Sequence, residues 1–343
     1  MSDAEVVKRA VAAIGEGRPD DFILAPTTHA EELTGKAAAL ASLLRTAQIA
    51  TLARQYERRD RDAGDSQKRF KDAMLWANAA VLATGVLDAF IMVAGILEEA
   101  VDEELWPLLL VLGLCALVSG ALASMWLFRV REGNLVEAWM SGRAHAESAR
   151  LEYFATLVRL ENGPSEPPLG LLKLEYFRRY QLDVQIAYYD RRGRRHRQSA
   201  DWTLTIGGFA AALAAVASGS AGIVASIEAT WAALAALGVI GTALAAFAAT
   251  REAVNQDRRN AERYGRTLSA LEILRGRLGD VRGGVLAGSQ EVLEEYVAAV
   301  HEQLSLEHGE WLSGAESTRS AIGRMDETLA ALQKDGARPQ GAA

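Results

Sequence analysis

One carboxylate, Asp88, stands within the otherwise uncharged apolar run from Leu75 to Leu97. A charge in hydrocarbon is costly, so such a group faces a bundle interior, water or an ion path. Thr84 lies one turn before it on the same helical face, and Asn78 lies further back in the same run. Asp88, Thr84 and Asn78 are therefore the candidates to line a pore. Two quieter roles stay open for Asp88: a protonated acid hydrogen-bonded between helices, or a charge near the outer interface. Leu97 ends the run nine residues later, which puts Asp88 at most ~14 Å from that end.

A second chemistry is anion binding. Arg191, Arg192, Arg194, Arg195 and Arg197 crowd one short stretch, and guanidinium forks pair well with phosphate oxygens. Membrane topology and anionic lipid headgroups select the same cluster, so both readings stand. Arg143 and Arg263, set farther from the apolar runs, are alternative phosphate contacts. Tyr56 and Tyr189 are candidates to stack on a base, or to pack between helices. Catalysis finds no support. His29, His145, His196, His301 and His308 are scattered, and no phosphate-binding glycine loop with a following lysine, nucleophile elbow or cysteine cluster occurs. No enzyme activity, cofactor or metal is expected.

The elements that position these residues follow from charge distribution. Of the 343 residues 50% are hydrophobic and 24% charged, with a net charge of -7. That composition fits either a soluble helical protein or a membrane protein with soluble flanks. Four windows decide between them. Leu75–Leu97 holds only Asp88, while Pro107–Phe128, Trp202–Ile227 and Ala229–Thr250 hold no charge. Each exceeds the ~20 residues a helix needs to cross a bilayer. The first two are rich in Leu and Val and read strongly; the second two are rich in Ala and Gly, so two spans with a buried Ala-rich hairpin is the alternative to four spans. Lys and Arg flank the windows on one side: Arg58, Arg59, Lys68 and Arg69 before the first, Arg129 and Arg131 after the second, the arginine cluster before the third, and Arg251, Arg258 and Arg259 after the fourth. The short connections carry acids instead, with Glu98, Glu99, Asp102, Glu103 and Glu104 in one and Glu228 in the other. Positive flanks stay inside. Both hairpin tips then face out, and both termini and the centre face the cytoplasm, across an inner (plasma) membrane. The opening MSDAEVVKRA has no apolar core of the signal-peptide kind, so no cleaved leader is expected. Cys115, the sole cysteine, reads as a small packing residue within the second span.

The remaining chain reads as helix, making the fold all-α: a polytopic membrane protein of two transmembrane hairpins extended by long cytoplasmic helices. Residues 36–161 form a first stalk–hairpin–stalk unit with spans at about 75–97 and 107–128. Apolar residues Leu40, Leu43, Leu44 and Ala47, then Val136, Met140, Leu151, Phe154 and Val158, mark packing faces on its stalks. The proline-rich 162–170 is a linker. Residues 171–278 form a second unit with spans at about 202–220 and 230–250, its fourth span running outward unbroken to about Leu278. Gly279, Gly283, Gly284 and Gly288 break the chain there. Helices at about 289–312 and 315–333 follow, the last with Ile322, Met325, Leu329 and Leu332 as an apolar stripe, before a disordered tail at 334–343. Residues 1–35 stay unassigned. Stripes of small residues, Gly207, Ala211, Ala215, Gly219 and Gly241, Ala245, Ala249, suit close helix packing.

The two units look alike. Tyr56-Glu57-Arg58-Arg59 matches Tyr189-Asp190-Arg191-Arg192, and each run precedes a Trp (Trp76, Trp202) at a span entrance. The exits align without gaps: Arg131-Glu132, Arg143 and Leu151-Glu152 against Arg251-Glu252, Arg263 and Leu271-Glu272. Chance among Arg-rich helices is one explanation; duplication of a stalk–hairpin–stalk unit accounts for more of the likeness. The stretch YYDRRGRRHRQSADW through AATREAVNQDRRNAERYGRTLSALEILRGRL, with EEYVAAVHEQLSLEHGEWL and its Trp311, resembles the SLATT domain, and the first half resembles it more loosely. That resemblance implies a two-transmembrane effector of bacterial nucleotide-based anti-phage systems. It further implies a nucleotide or short oligonucleotide ligand and a partner nucleotidyltransferase.

The expected function is thus a homo-oligomeric pore or channel in membrane lipid. Four spans in one chain are few for an aqueous path, so subunits are expected around a common axis, with a tetramer taken from closed symmetry. The alternative is a non-conducting scaffold that recruits a cytoplasmic partner through the long helices. A small-solute transporter is disfavoured by the lack of proline-interrupted spans.

Overall fold

The computed structural model describes residues 2–18, 21–101, 105–161, 163–224 and 233–313, with 320, 323 and 327. The chain is all-α and polytopic: no strand occurs among the described residues, and four helices are long and apolar enough to cross a membrane. The tips of both hairpins (102–104 and 225–232), nearly all of the expected helix at 315–333, and the tail lie outside the described residues.

Residues 1–35, unassigned from sequence, are largely helical. Helix α1 (Asp3–Ile14) starts where the Ser2 side chain accepts from the Glu5 amide, carries Asp3 and Glu5 in its first turn, and stops at Gly15 with φ 80°. Helix α2 (Pro26–Leu33) uses a proline in its first turn, where the missing N–H is no loss. Then come α3 (Ala38–Leu44) and α4 (Ala47–Val101), a 55-residue helix that includes the first span. The expected stalk from Lys36 is therefore interrupted at Arg45–Thr46. The interruption rephases the buried face, so Leu40 and Leu44 are in the core, Ala47 is exposed and Ile49 takes over.

Next are α5 (Trp106–Glu132), α6 (Leu135–Arg159) and α7 (Leu169–Phe177). Six residues of π-helix (Arg178–Asp183) lead from α7 into α8 (Val184–Val224). Helices α9 (Ala233–Asn255), α10 (Asp257–Gly276), α11 (Leu278–Leu286) and α12 (Gln290–Ser313) complete the described chain. The fourth span does not run unbroken to Leu278. Gln256 takes φ 49° and separates α9 from α10, as Asn134 with φ 44° separates α5 from α6. Each hairpin is entered on continuous helix and left through a left-handed residue. Gly279, Gly283 and Gly284 sit within α11, and only Gly288, at φ 88°, ends a helix.

The chain divides into two compact units. The membrane unit comprises 67–136 and 196–258, and the bundle unit 1–66, 137–195 and 259–313. In the membrane unit the small residues set the packing. A Cβ built on Gly241 would stand 2.9 Å from the Ala210 carbonyl oxygen and 3.0 Å from the Ala214 nitrogen, and one on Gly85 only 2.7 Å from the Ala243 Cβ. Helix α9 therefore lies close against both α8 and α4. Leu110, Leu114 and Leu117 on α5, with Leu204 and Phe209 on α8, point outward as lipid-facing residues would. Gly241→Leu should force α8 and α9 apart and destabilise the unit by about 1–3 kcal/mol. A melt of the detergent-solubilised protein checks this, with Gly95→Leu, in open space, as the neutral control. An unchanged midpoint for Gly241→Leu would refute the close packing.

In the bundle unit Leu40, Leu44, Tyr153, Phe154, Tyr176 and Phe177 are fully buried, with Leu293 and Val300 of α12 against the same core. The N-terminal helices contribute Ala10, Ile14 and Leu33. The linker meets this core too: Lys173 of α7 donates to the Val158 carbonyl at 3.2 Å and to that of Leu160, capping the open carbonyls at the end of α6.

Candidate functional site

On α4, Thr84 and Asp88 share a face, while Asn78 lies about a third of a turn round the helix from Thr84; Asn78 and Thr84 are both buried. Asn78 is buried and donates from Nδ2 to the Phe247 carbonyl of α9 at 3.3 Å. Thr84 is buried and donates to the Ala80 carbonyl of its own helix, which also accepts from Ser119 of α5 at 2.9 Å. Both are thus engaged in helix packing within the subunit. Asp88, half-buried one turn on, has no hydrogen-bond or ion-pair partner among the described residues.

The arginines on α8 are not gathered into one receptor. Arg191, Arg194 and Arg195 are exposed. Arg191 turns back to the Ala187 carbonyl and Arg194 to Asp190, while Arg192 stands 5.7 Å over the Tyr188 ring. Local pairs of this kind contribute little.

Arg143, Arg263, Tyr56 and Tyr189 do meet, inside the bundle unit. Arg143 of α6 pairs with Asp60 of α4 at 2.9 Å and with Glu147 at 2.5 Å. Glu147 above all, then Tyr188, Asp60 and Tyr56, hold its guanidinium in the charged form. Arg263 of α10, its side chain 3% exposed, lies 3.0 Å from Glu307 of α12. Its Nε–H is not aimed at that carboxylate, which makes this an ion pair without a straight hydrogen bond. Tyr189 donates to the other Glu307 oxygen at 3.1 Å. Burial pushes Tyr189 well above the usual phenol range, and the nearby Glu307 and Glu147 push the same way. Burial also raises Glu307, against the pull of Arg263 and Tyr189. Tyr189, Tyr188 and Tyr264 pack edge to face or tilted, with centroids 5.3–6.3 Å apart. The result is a closed network of two guanidiniums, three carboxylates and four tyrosines. It joins α4, α6, α8, α10 and α12, and the first four of these lead into the spans.

A difference between the units explains the shape of the network. Where α4 offers Asp60 to Arg143, the aligned position of α8 is Gly193, which lies against Tyr264. Arg263 therefore takes its carboxylate from α12. Sequence reasoning passed over Glu307 and Arg150, although each breaks an apolar stripe. Tyr296, Val300 and Leu304 recur at four-residue steps with Glu307 three further on, and Arg150 stands between Ala146 and Phe154. A charge on a buried helical face is the signal that would have found both.

At the exit of the second hairpin, Asp257 accepts from His196 Nδ1 at 2.6 Å and from Ser199 at 2.5 Å, and Arg251 stands 4.9 Å over the Trp202 ring. No group of three or more His, Cys, Asp or Glu among the described residues is placed to hold a metal.

No curated protein and no solved structure matches the chain. Residues 177–311 match the family described as "SMODS and SLOG-associating 2TM effector domain 1". The matched stretch opens at the π-helix, contains the second hairpin and closes on α12, so it includes Tyr189, Arg263 and Glu307, while the first hairpin lies outside it. Over residues 177–311, from the end of α7 into α12, the sequence is similar to this SLATT family of two-transmembrane effector domains.

Proposed function

We propose that this protein is a pore- or channel-forming effector of a bacterial anti-phage defence system, gated through a cytoplasmic bundle unit by a nucleotide second messenger. The single observation that carries this reading is the match of residues 177–311 to the SLATT family, on a chain with four described helices long and apolar enough to cross a membrane. The "SMODS and SLOG-associating" description points to a nucleotidyltransferase as the partner that makes the ligand. Subunits assemble around a common axis, a tetramer in our reading, with the bundle units on the cytoplasmic side of the inner membrane and both termini there.

The first hairpin is a second copy of the same unit. The matched exits support this: a left-handed residue follows each Arg-Glu pair, Asn134 after Arg131-Glu132 and Gln256 after Arg251-Glu252. Ligand binding in the bundle unit acts on α4 and α8, which enter the membrane without a break. Asp88 lines the conducting path.

Purified protein in liposomes should pass ions when the messenger is added. Asp88→Lys should lower the cation-to-anion flux ratio by about tenfold or more, with Asp88→Asn intermediate. Silent liposomes under every nucleotide, with a cytoplasmic protein still recruited, would replace the channel with a scaffold.

A further inference from the structure

A second set of arginines meets at the π-helix, apart from those singled out by sequence. Arg150 of α6 is 2% exposed. Its Nε donates to Gln181 Oε1 at 2.6 Å, Nη2 to the Tyr180 carbonyl at 2.7 Å, and Nη1 to the Phe22 carbonyl at 2.9 Å and Tyr56 Oη at 3.1 Å. Every one of these acceptors is neutral. A buried cation without a counter-ion is costly to hold. Beside it, Arg179 grips Asp21 with Nε at 2.8 Å and Nη2 at 3.0 Å, and the Ile14 carbonyl with Nη1 at 2.5 Å. Two consecutive residues of the N-terminal segment, Asp21 and Phe22, thus occupy two neighbouring guanidiniums.

Two further observations point to a ligand. The Gln181 amide is oriented by Arg150, which takes its oxygen; its Nε2 then faces away, fully buried and with no acceptor. Asp21–Ile23 is held by polar groups rather than by packing, since Phe22 is 48% and Ile23 51% exposed, whereas Leu24 after them is anchored in the core. Lifting it forfeits little apolar burial. A π-helix, moreover, is rare and frequently marks a functional site.

We propose that Arg150, Arg179 and Gln181 form a binding site for a small ligand carrying two or more phosphate groups, and that Asp21 and Phe22 are its built-in occupants, displaced by that ligand. The Asp21 carboxylate already shows the two-pronged acceptance that a phosphate gives Arg179. Phe22 supplies Arg150 with an oxygen but no charge, and a second phosphate supplies both. The Tyr180 ring, 4.7 Å from Arg179 and stacked on His29 at 4.1 Å, is already covered and holds Arg179 in place. This inference rests on the reading of the bundle unit as the ligand-receiving end.

The test uses the full chain in nanodiscs, with and without phosphatidylglycerol, titrated with inorganic tripolyphosphate, ATP and a cyclic dinucleotide. At least one probe should bind and raise hydrogen exchange across residues 10–18. Asp21→Asn weakens the occupant, so the same probe should bind about tenfold more tightly. Arg179→Gln should weaken it about thirtyfold or more, while Arg9→Gln, at an exposed pair with Glu166, should leave it unchanged. No binding by any probe, unchanged affinity in Asp21→Asn, or binding that requires phosphatidylglycerol would each overturn the site. Tighter binding by Asp21→Asn with silent liposomes would keep the site and defeat the channel. Nucleotide-driven flux indifferent to both variants would do the reverse.

Discussion

Glu307→Ala should destabilise the bundle unit by about 3–5 kcal/mol, the range for breaking a buried ion pair from one side. The substitution leaves Arg263, 3% exposed, with no carboxylate, and takes from Tyr189 the acceptor of its hydroxyl. Arg263 retains Asn260 Oδ1 at 2.7 Å, which is neutral. The unfolding midpoint of the purified protein should fall, and hydrogen exchange should rise first along α12 and the facing turns of α8 and α10. Glu310→Ala serves as the control. It breaks the Arg266–Glu310 pair, with side chains 70% and 50% exposed, and pairs of that kind are worth about 0–1 kcal/mol. Equal effects from the two substitutions would mean that Glu307 is not the buried anchor of α12.

Acidification should weaken the same unit through two histidines. Burial lowers His29 from an ordinary value of 6.5 to about 4, with Arg179 adding to the effect against Glu32 and Asp21. Burial, helped by Arg159, lowers His301 to about 4 as well. A histidine depressed by folding binds its proton more readily in the unfolded chain, so acid favours unfolding. The contribution is intact above about pH 6.5, declines as the pH falls toward 4, and is lost below that. At ~1.4 kcal/mol per unit, each histidine accounts for about 3 kcal/mol. Glu307 acts in the opposite sense, because burial raises it and its protonation favours the folded form. Melts of the parent protein should fall steeply between pH 6.5 and 4, and His29→Gln and His301→Gln should each flatten that fall. His29 accepts from or donates to Tyr176 at 2.8 Å, a contact that glutamine can retain. Parallel pH curves for parent and both variants would show that neither histidine is buried neutral.

The membrane part of this architecture was legible because hydrocarbon imposes a blunt rule. Windows with one charge or none are long enough to cross; Leu75–Leu97 reads strongly, while the Ala-rich Ala229–Thr250 also admits a buried hairpin. The helix starts at Ser2 and Pro26 went unread, because residues 1–35 are too short to be assigned on their own. The breaks at Asn134 and Gln256 are harder. Neither Asn nor Gln is a glycine, and a single left-handed residue leaves helical periodicity almost untouched on both sides. The π-helix escaped notice for a similar reason, since α7 to α8 reads as one helix.

At the candidate site, pairing Arg143 with Arg263 and Tyr56 with Tyr189 by repeat identified residues that do converge. Their partners Asp60, Glu147 and Glu307 looked like ordinary solvated acids. The Arg191–Arg195 cluster showed the reverse. Its density in sequence reflects a helix surface, where successive residues point around the axis. Arg150 and Arg179 were invisible as a pair because what joins them, Asp21–Phe22, lies in a segment too short to be read alone.

The bundle unit is assembled from three separated stretches, 1–66, 137–195 and 259–313, with both hairpins intervening. A ribosome delivers them in that order, and Arg263 meets Glu307 only when the third stretch has emerged. The first stretch must therefore wait, exposing Leu40, Leu44 and Ile49, while two insertions into the bilayer are completed. Truncation within α12 should leave a chain that is inserted but soft in its charged unit, a product recognised by quality-control proteases rather than by loss of membrane targeting. Correct insertion of both hairpins is thus a precondition for the unit's final closure, and a mis-threaded copy would never acquire a finished core.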